Sequence, residues 1–402
     1  MTERLYYTDA YLRAFDSSIV SVGVREGRTS IVLDRTAFYP TSGGQPFDTG
    51  VLAVMPNGGR LNVVDVVDDD NGDVEHIVDA AADTLTAGQA VHGSIDWGRR
   101  FDHMQQHTGQ HVLSAAIDRL FGVRTVSFHL GAESSTIDLS RGLTRNELVS
   151  AEVAANEVVW EDRAVAVRFV SADEAARLPL RKESVREGTL RLIDVEQFDL
   201  SACGGTHVST AGGIGVIAIG SSERFKGGQR VEFFCGGRAV AKFRSMRDAL
   251  AGAVRALSVL PDAVPSAVEK LQSDLRERQR ALASLQNDLV RYRAAELAAS
   301  SRPAAPGDVV AAIVDAGANE LKSLASEIVS RPGRIALLVS AKPPALVVVA
   351  RSEGVAADAN AVVASLTVKF GGRGGGKPAL AQAGGLDADP AAILASGLLA
   401  FQ

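Results

Sequence analysis

At 402 residues with a formal net charge of −6, the chain has room for roughly two or three domains and carries no global basic field that would announce a nucleic-acid partner. Hydrophobic residues make up 46% and charged residues 22%, the balance of a globular protein in water, and two cysteines, Cys203 and Cys235, are too few for a disulfide framework. No apolar run reaches the ~18–20 residues of a membrane span, and the opening MTERLYYTDA has no apolar signal core, so a cytoplasmic location away from membranes is expected.

Residues 1–96 read as short strands: SIVSVGV, TSIVLD, VLAVMP and LNVVDVV are rich in β-branched residues and are punctuated by EGR, TSGGQP, PNGGR and DDDNGD. Close spacing with Gly, Asn and Asp turns predicts a small N-terminal β-barrel or sandwich. A helix is then expected from an N-cap at Asp102 to a stop at Gly122, with Val112, Leu113, Ala116, Ile117 and Leu120 at helical spacing. Strands TVSFHL and SSTIDL, a helix near 145–160 and further strands to about 235 make the segment 97–238 α+β. Over 239–299 the apolar positions step by threes, fours and sevens on both sides of LPDAVPS (Val240, Phe243, Leu250, then Leu271, Leu275, Leu282, Leu289), which predicts an antiparallel helical hairpin. After the linker SSRPAAPGD, the segment 303–402 reads as α/β, with strands VVAAIVDA, RIALLVSA and ALVVVARS and a Gly-rich loop in KFGGRGGGKPALAQAGG. The fold class is thus multidomain α+β in four parts.

The chemistry concentrates in FDHMQQHTGQH, where three of the chain's seven histidines, His103, His107 and His111, stand four residues apart. On a helix, positions i and i+4 share a face, and two imidazoles there can reach one Zn²⁺ at ~2.0–2.1 Å. Positions i and i+8 are about 12 Å apart. One ion therefore takes His103/His107 or His107/His111. With a helix starting at Asp102, His103 falls in the frayed first turn, which favours the second pair. Downstream, SACGGTHV places Cys203 and His207 at C-x3-H, a thiolate and an imidazole suited to zinc. Two such pairs make a four-ligand set, with Cys235 and His129 outside it. HTGQH lacks the glutamate of H-E-x-x-H, and no Cys-x-x-Cys is present, which argues against a zinc peptidase or deaminase.

FYPTSGGQPFDTG (38–50), HTGQH (107–111), CGGTH (203–207) and GGRGGGKPALAQAGG (371–385) occur in this order along the chain. Together they resemble the stand-alone alanyl-tRNA editing proteins of the long type, relatives of the editing and C-terminal regions of alanyl-tRNA synthetase. The resemblance covers essentially the whole chain and includes no adenylation domain. It implies a zinc-dependent hydrolase that deacylates tRNA(Ala) mischarged with serine, and in some members glycine. Such a second sieve is needed because a pocket for alanine cannot sterically exclude glycine and rejects serine by only about 10²-fold. The family register selects His107, His111, Cys203 and His207 as zinc ligands. It makes Gly43, Gly44 and Gln45 the catalytic loop, with glycines for close backbone approach and an amide able to bond the ester or amino acid. Thr41 and Ser42 are weaker candidates there.

Reading serine's hydroxyl requires a polar group that alanine would leave unpaired, for which Gln110, Thr125 and Ser127 are candidates. Asp48 and Asp199 are weak candidates for a general base. Four protein ligands would close a tetrahedral site, whereas a catalytic zinc keeps a position open, so the metal either activates water or positions the tRNA end. The family's C-terminal domain, associated with DHH phosphoesterases, is expected to bind tRNA, with Lys369, Arg373 and Lys377 around the glycines. The hairpin or the C-terminal domain is available for a homodimer contact. The alternative is a non-catalytic tRNA-binding protein with a structural zinc.

Overall fold

Residues 1–56, 59–69, 71–181 and 188–402 are described by a computed structural model. Asn57 and Gly58 of the expected PNGGR turn and Asp70 of DDDNGD lie outside them. The chain forms two compact units, Met1–Gly252 and Ala253–Gln402.

In the first unit, β2 (Ala14–Arg25), β3 (Arg28–Leu33), β5 (Gly50–Val54), β6 (Gly59–Asp68), β7 (Val74–Val78) and β8 (Ala90–Ile95) form the expected barrel. It is closed, in the order β2-β3-β7-β6-β5-β8. Period-2 alternation builds it: on β2, Phe15, Ser17 and Ile19 point inward while Asp16 and Val20 face out. The barrel core gathers Phe15, Ile31, Leu33, Phe38, Leu52, Val66 and Val91. A short parallel pair, β1 (Glu3–Arg4) with β4 (Arg35–Thr36), ties down the chain start.

Helix α1 runs over Trp97–Phe121, longer at its start than the sequence suggested. Its N-cap is Asp96, whose side chain accepts from the Arg99 amide at 3.2 Å. Asp102 does not cap; it is paired with Arg238 at 2.6 Å. Trp97, Phe101 and Met104 carry the apolar stripe one turn further back. The expected stop holds, with Gly122 in the left-handed region at φ 63°. Val112, Leu113, Ala116 and Ile117 enter the core, whereas Leu120, read from spacing as part of the same stripe, is 49% exposed.

Helix α2 (Arg145–Trp160) starts at a capping box of Thr144 and Glu147. Both helices pack on an antiparallel sheet of β9 (Thr125–Leu130), β10 (Ser135–Leu139), β14 (Ile217–Phe225) and β15 (Gly228–Cys235), ordered β14-β15-β10-β9. A second sheet, β11 (Val165–Ser171), β12 (Thr189–Val195) and β13 (Asp199–Ala202), carries the one-turn helix α3 (Ala172–Ala175) between its first two strands and ends where the Cys203 loop begins. The barrel is fastened to α1 by Arg100 and Asp48, both fully buried and ion-paired. Arg100 also donates to the carbonyls of Ala10 (2.9 Å) and Ala37 (2.5 Å), and Asp48 accepts from the Tyr39 amide (2.7 Å). A buried pair this fully hydrogen-bonded orients the two elements.

Helix α4 (Gly237–Leu257) follows β15, and α5 (Val264–Ala299) follows the proline-marked break. On α4 the stripe residues Val240, Phe243 and Leu250 are exposed; on α5, so are Leu271, Leu275, Leu282, Leu285 and Leu289.

In the second unit β16 (Asp308–Val314), β17 (Arg334–Ser340), β18 (Ala345–Arg351), β19 (Arg373–Lys377) and β20 (Leu380–Leu386) are ordered β16-β17-β18-β20-β19. Only the β16/β17 pair is parallel. Helix α6 (Ala318–Ile328) covers one face over Ala336 and Leu338; α7 (Ala359–Phe370) and α8 (Pro390–Leu398) cover the other over Ile335, Leu337 and Val339. Burial on both faces is why RIALLVSA reads as an unbroken apolar run. The Gly-rich stretch expected as a loop is instead a hairpin. Arg373–Lys377 is an exposed edge strand paired with Leu380–Leu386 across a two-residue turn at Pro378 and Ala379. Glycine's low strand propensity concealed it, and pairing with the half-buried β20 decides it.

Candidate metal centre

α1 is buried along its middle, over His107, Thr108, Gly109, Gln110 and His111. A run of polar side chains fully inside a helix needs partners, and the partners come from the Cys203 loop and the loop before β5. His107, His111, Cys203 and His207 offer ligand atoms that all lie within 4.8 Å of one another. The Cys203 Sγ is 3.3 Å from His107 Nε2 and 3.4 Å from His207 Nε2. The ring centroids of His107, His111 and His207 are 4.5–5.5 Å apart. Bonds of ~2.0–2.3 Å in a tetrahedron separate ligand atoms by about 3.3–3.8 Å, so this donor set fits one metal ion.

Each imidazole is held by its other nitrogen. His107 Nδ1 faces Gln45 Oε1 at 2.8 Å, His111 Nδ1 faces Asp199 Oδ2 at 3.0 Å, and His207 Nδ1 faces Thr108 Oγ1 at 3.1 Å. Such partners fix ring orientation and leave Nε2 for a metal. Asp199 is braced by Arg181 (2.6 and 3.0 Å) and by the Ser201 hydroxyl (3.0 Å). Burial opposes its charge, but the bonds from His111 and Arg181 hold its carboxyl well below the usual range.

Burial likewise opposes ionisation of Cys203, yet the charges of His107 and His207 hold its thiol well below the ordinary value. Burial, then the charge of His107, pushes His207 down to about 3. Burial disfavours the charged form of His111 too, but its bond to Asp199 raises it overall. The lowered thiol of Cys203 and the lowered imidazole of His207 both favour the deprotonated donors that a divalent metal ion requires.

Gln45, read from sequence as a group bonding the substrate, is fully buried and engaged with the protein. Its Oε1 accepts from His107 and from the Thr206 amide (3.0 Å), and its Nε2 donates to Thr206 Oγ1 (2.8 Å). Gly43 and Gly44 are exposed, with φ of 54° and 84° in the tight Ser42–Gln45 turn, and Gly44 lies against the Phe128 ring. Gln110 and Thr125 both donate to Ser114 Oγ at 2.8 Å. Ser127 is exposed and donates to Asp138 (2.5 Å), itself paired with Arg230. Asp48 belongs to the Arg100 pair. Lys369, Arg373 and Lys377 are exposed in the second unit, with Lys369 Nζ donating to Ser396 at 3.0 Å.

His103 is buried in the second turn of α1, outside the cluster, with no partner for Nδ1; burial, then Arg99, pushes it down to about 4. The sequence reading missed Thr108 and Thr206, whose signal was membership of the motifs themselves, and Arg181 and Arg191, for which no local signal exists. It also missed why Gly109 separates the ligands: a Cβ there would sit 2.2 Å from Cys235 Sγ.

The sequence family described as tRNA synthetases class II (A) matches residues 4–99, and the threonyl and alanyl tRNA synthetase second additional domain matches 190–232. The chain is 33% identical over 390 residues to the alanine–tRNA ligase of Pyrococcus abyssi, covering 95% of this chain and 42% of that protein. It is 35% identical over 400 residues to the alanine–tRNA ligase of Halorubrum lacusprofundi, covering 96% and 42%. It therefore spans less than half the length of these ligases. A solved C-Ala domain of Aquifex aeolicus alanyl-tRNA synthetase matches 26% of this chain and 99% of its own length at 20% identity and a TM-score of 0.24. Along nearly its whole length the chain is also similar to the alanyl-tRNA editing protein AlaX-L of Pyrococcus horikoshii, with 29% identity over 399 residues, 98% of this chain and 96% of that protein. Among the described residues no helix is long and apolar enough to cross a membrane.

Proposed function

We propose that this protein is a cytoplasmic hydrolase that deacylates tRNA(Ala) mischarged with serine, and with glycine, using zinc held by His107, His111, Cys203 and His207. The observation that carries the reading is the convergence of two ligand pairs about 90 residues apart in sequence into one donor set within 4.8 Å. They converge in a chain similar along nearly its whole length to an alanyl-tRNA editing protein. Bound there, zinc would supply a fixed positive charge that polarises the ester or aligns the tRNA 3′ end.

The chain's own residues do the rest. Asp199, Gln45 and Thr108 fix the three rings, so Gln45 acts as a positioning residue for His107. Gly43 and Gly44, exposed beside Phe128, offer main-chain amides to the aminoacyl ester. Gln110, Thr125 or Ser127 reads the seryl hydroxyl by exchanging its present partner. Lys369 and Arg373 with Lys377 on the β19 edge meet tRNA phosphates, and the apolar stripes of α4 and α5 serve self-association.

Incubation of the zinc-loaded protein with Ser-, Gly- and Ala-tRNA(Ala) tests the reading: the first two are expected to lose their amino acid and Ala-tRNA(Ala) to persist. Unchanged Ser-tRNA(Ala) sinks it and favours a tRNA-binding protein with a structural metal, a reading that the closed four-donor set supports. Cys203→Ala is expected to lose metal and deacylation together; activity retained without metal would overturn zinc dependence.

A further inference from the structure

Arg191 sits on β12, directly behind the loop that carries Cys203 and His207. Its Nη1 donates to the carbonyls of Cys203 (2.7 Å) and Gly205 (2.9 Å), and its Nε donates to the carbonyl of Tyr7 (3.1 Å). The guanidinium also lies over the Tyr7 ring, 5.6 Å from its centroid. The ladder continues past β13 with the Cys203 amide donating to the Arg191 carbonyl at 3.1 Å. Arg191 thus holds Cys203 at both main-chain groups, the carbonyl through its side chain and the amide through its own carbonyl, and its side chain ties the loop to the 3₁₀ turn Leu5–Tyr7.

The grip matters because the loop has no slack. A Cβ at Gly205 would lie 2.1 Å from His107 Cε1, so the Gly205 backbone already touches a second ligand ring. The Gly205 amide donates to Cys203 Sγ at 3.4 Å. Fixing the Gly205 carbonyl therefore fixes the sulfur and the limit of His107 motion at once. A largely buried guanidinium whose bonds go to main-chain carbonyls, with Nη2 left unpartnered, is an expensive way to fill a core. A planar fork is, however, what three divergent carbonyls require.

We infer that Arg191 is a positioning residue of the metal centre, a clamp that locks the Cys203–His207 loop onto the N-terminal turn at Tyr7. The inference rests on the metal centre of the proposed function, not on the identity of the substrate. The full-length protein, Arg191→Gln and Arg191→Lys are compared for Zn²⁺ affinity by chelator competition, and for melting temperature with and without Zn²⁺. The Co²⁺-loaded proteins are compared for their thiolate-to-metal absorption band.

Arg191→Gln is expected to weaken Zn²⁺ binding by about 10–100-fold. Its cobalt band should be shifted or weakened, and its metal-free melting temperature unchanged, so that only the Zn²⁺-induced rise shrinks. Arg191→Lys, which keeps the charge but not the fork, should lose less. Affinity within twofold of the unaltered protein overturns the inference. So does a variant that fails to fold, or whose two melting temperatures fall equally, since Arg191 then serves the core. Failure of the unaltered protein to take up Zn²⁺ sinks the metal centre as well, which separates the two results.

Discussion

Gln45→Ala distinguishes an amide that supports a metal ligand from one that touches the substrate. In the structure Gln45 Oε1 accepts from His107 Nδ1 (2.8 Å) and the Thr206 amide (3.0 Å), and no water-accessible surface remains on the side chain. Truncation leaves both donors buried without an acceptor, while Thr206 Oγ1 can turn to another partner. At about 1–3 kcal/mol for each unsatisfied buried donor, the loss of stability is about 2–6 kcal/mol, the lower end applying if water enters the space. Freeing Nδ1 of a metal-ligating histidine should also weaken metal binding by about 10–100-fold. Urea unfolding of the metal-free protein, chelator competition and deacylation of Ser-tRNA(Ala) measure the three effects. Near-normal stability and metal affinity with a collapse of kcat alone would refute the reasoning and return Gln45 to the substrate.

Two further predictions concern the frame around the centre. His76 is fully buried in the barrel between Thr36 Oγ1 (2.8 Å) and the Ile31 carbonyl (3.1 Å), and burial pushes it down to about 4, against the Ile31 bond. The unfolded chain therefore takes up this proton near pH 6.5 and the folded one near 4, so stability is full above about 6.5 and falls as pH drops through that window, by about 2 kcal/mol between pH 7 and pH 5. Denaturant titrations of His76→Gln should show a shallower fall over that range; an unchanged slope would assign it elsewhere. Gly109→Ala should destabilise the first unit by about 1–3 kcal/mol through overpacking. Adding Cys235→Ala should recover most of it, because the offending contact is with Cys235 Sγ at 2.2 Å; no recovery in the double variant would mean that the helix backbone is the obstacle.

The sequence alone was enough for what depends on local pattern. Alternation in SIVSVGV and TSIVLD marks barrel strands, four-residue spacing puts His107 and His111 on one helix face, and Gly122 ends that helix. Where competing partners lie far away in sequence, local reading failed. Asp102 has the chemistry of an N-cap, but Arg238 claims it 136 residues on and Asp96 caps instead. RGGGK has the composition of a loop, but β20 pairs with it and makes an edge strand. Spacing also could not choose between His103 and His111 as the partner of His107. Both are buried in α1, and the choice is made by Asp199, 88 residues beyond His111, and by the loop bearing Cys203. Residue types and their periodicity thus determine which atoms are available as ligands. Which of them meet, and which carboxylate, amide or guanidinium holds them there, is decided by long-range hydrogen bonds that exist only once the barrel, α1 and the Cys203 loop are packed together.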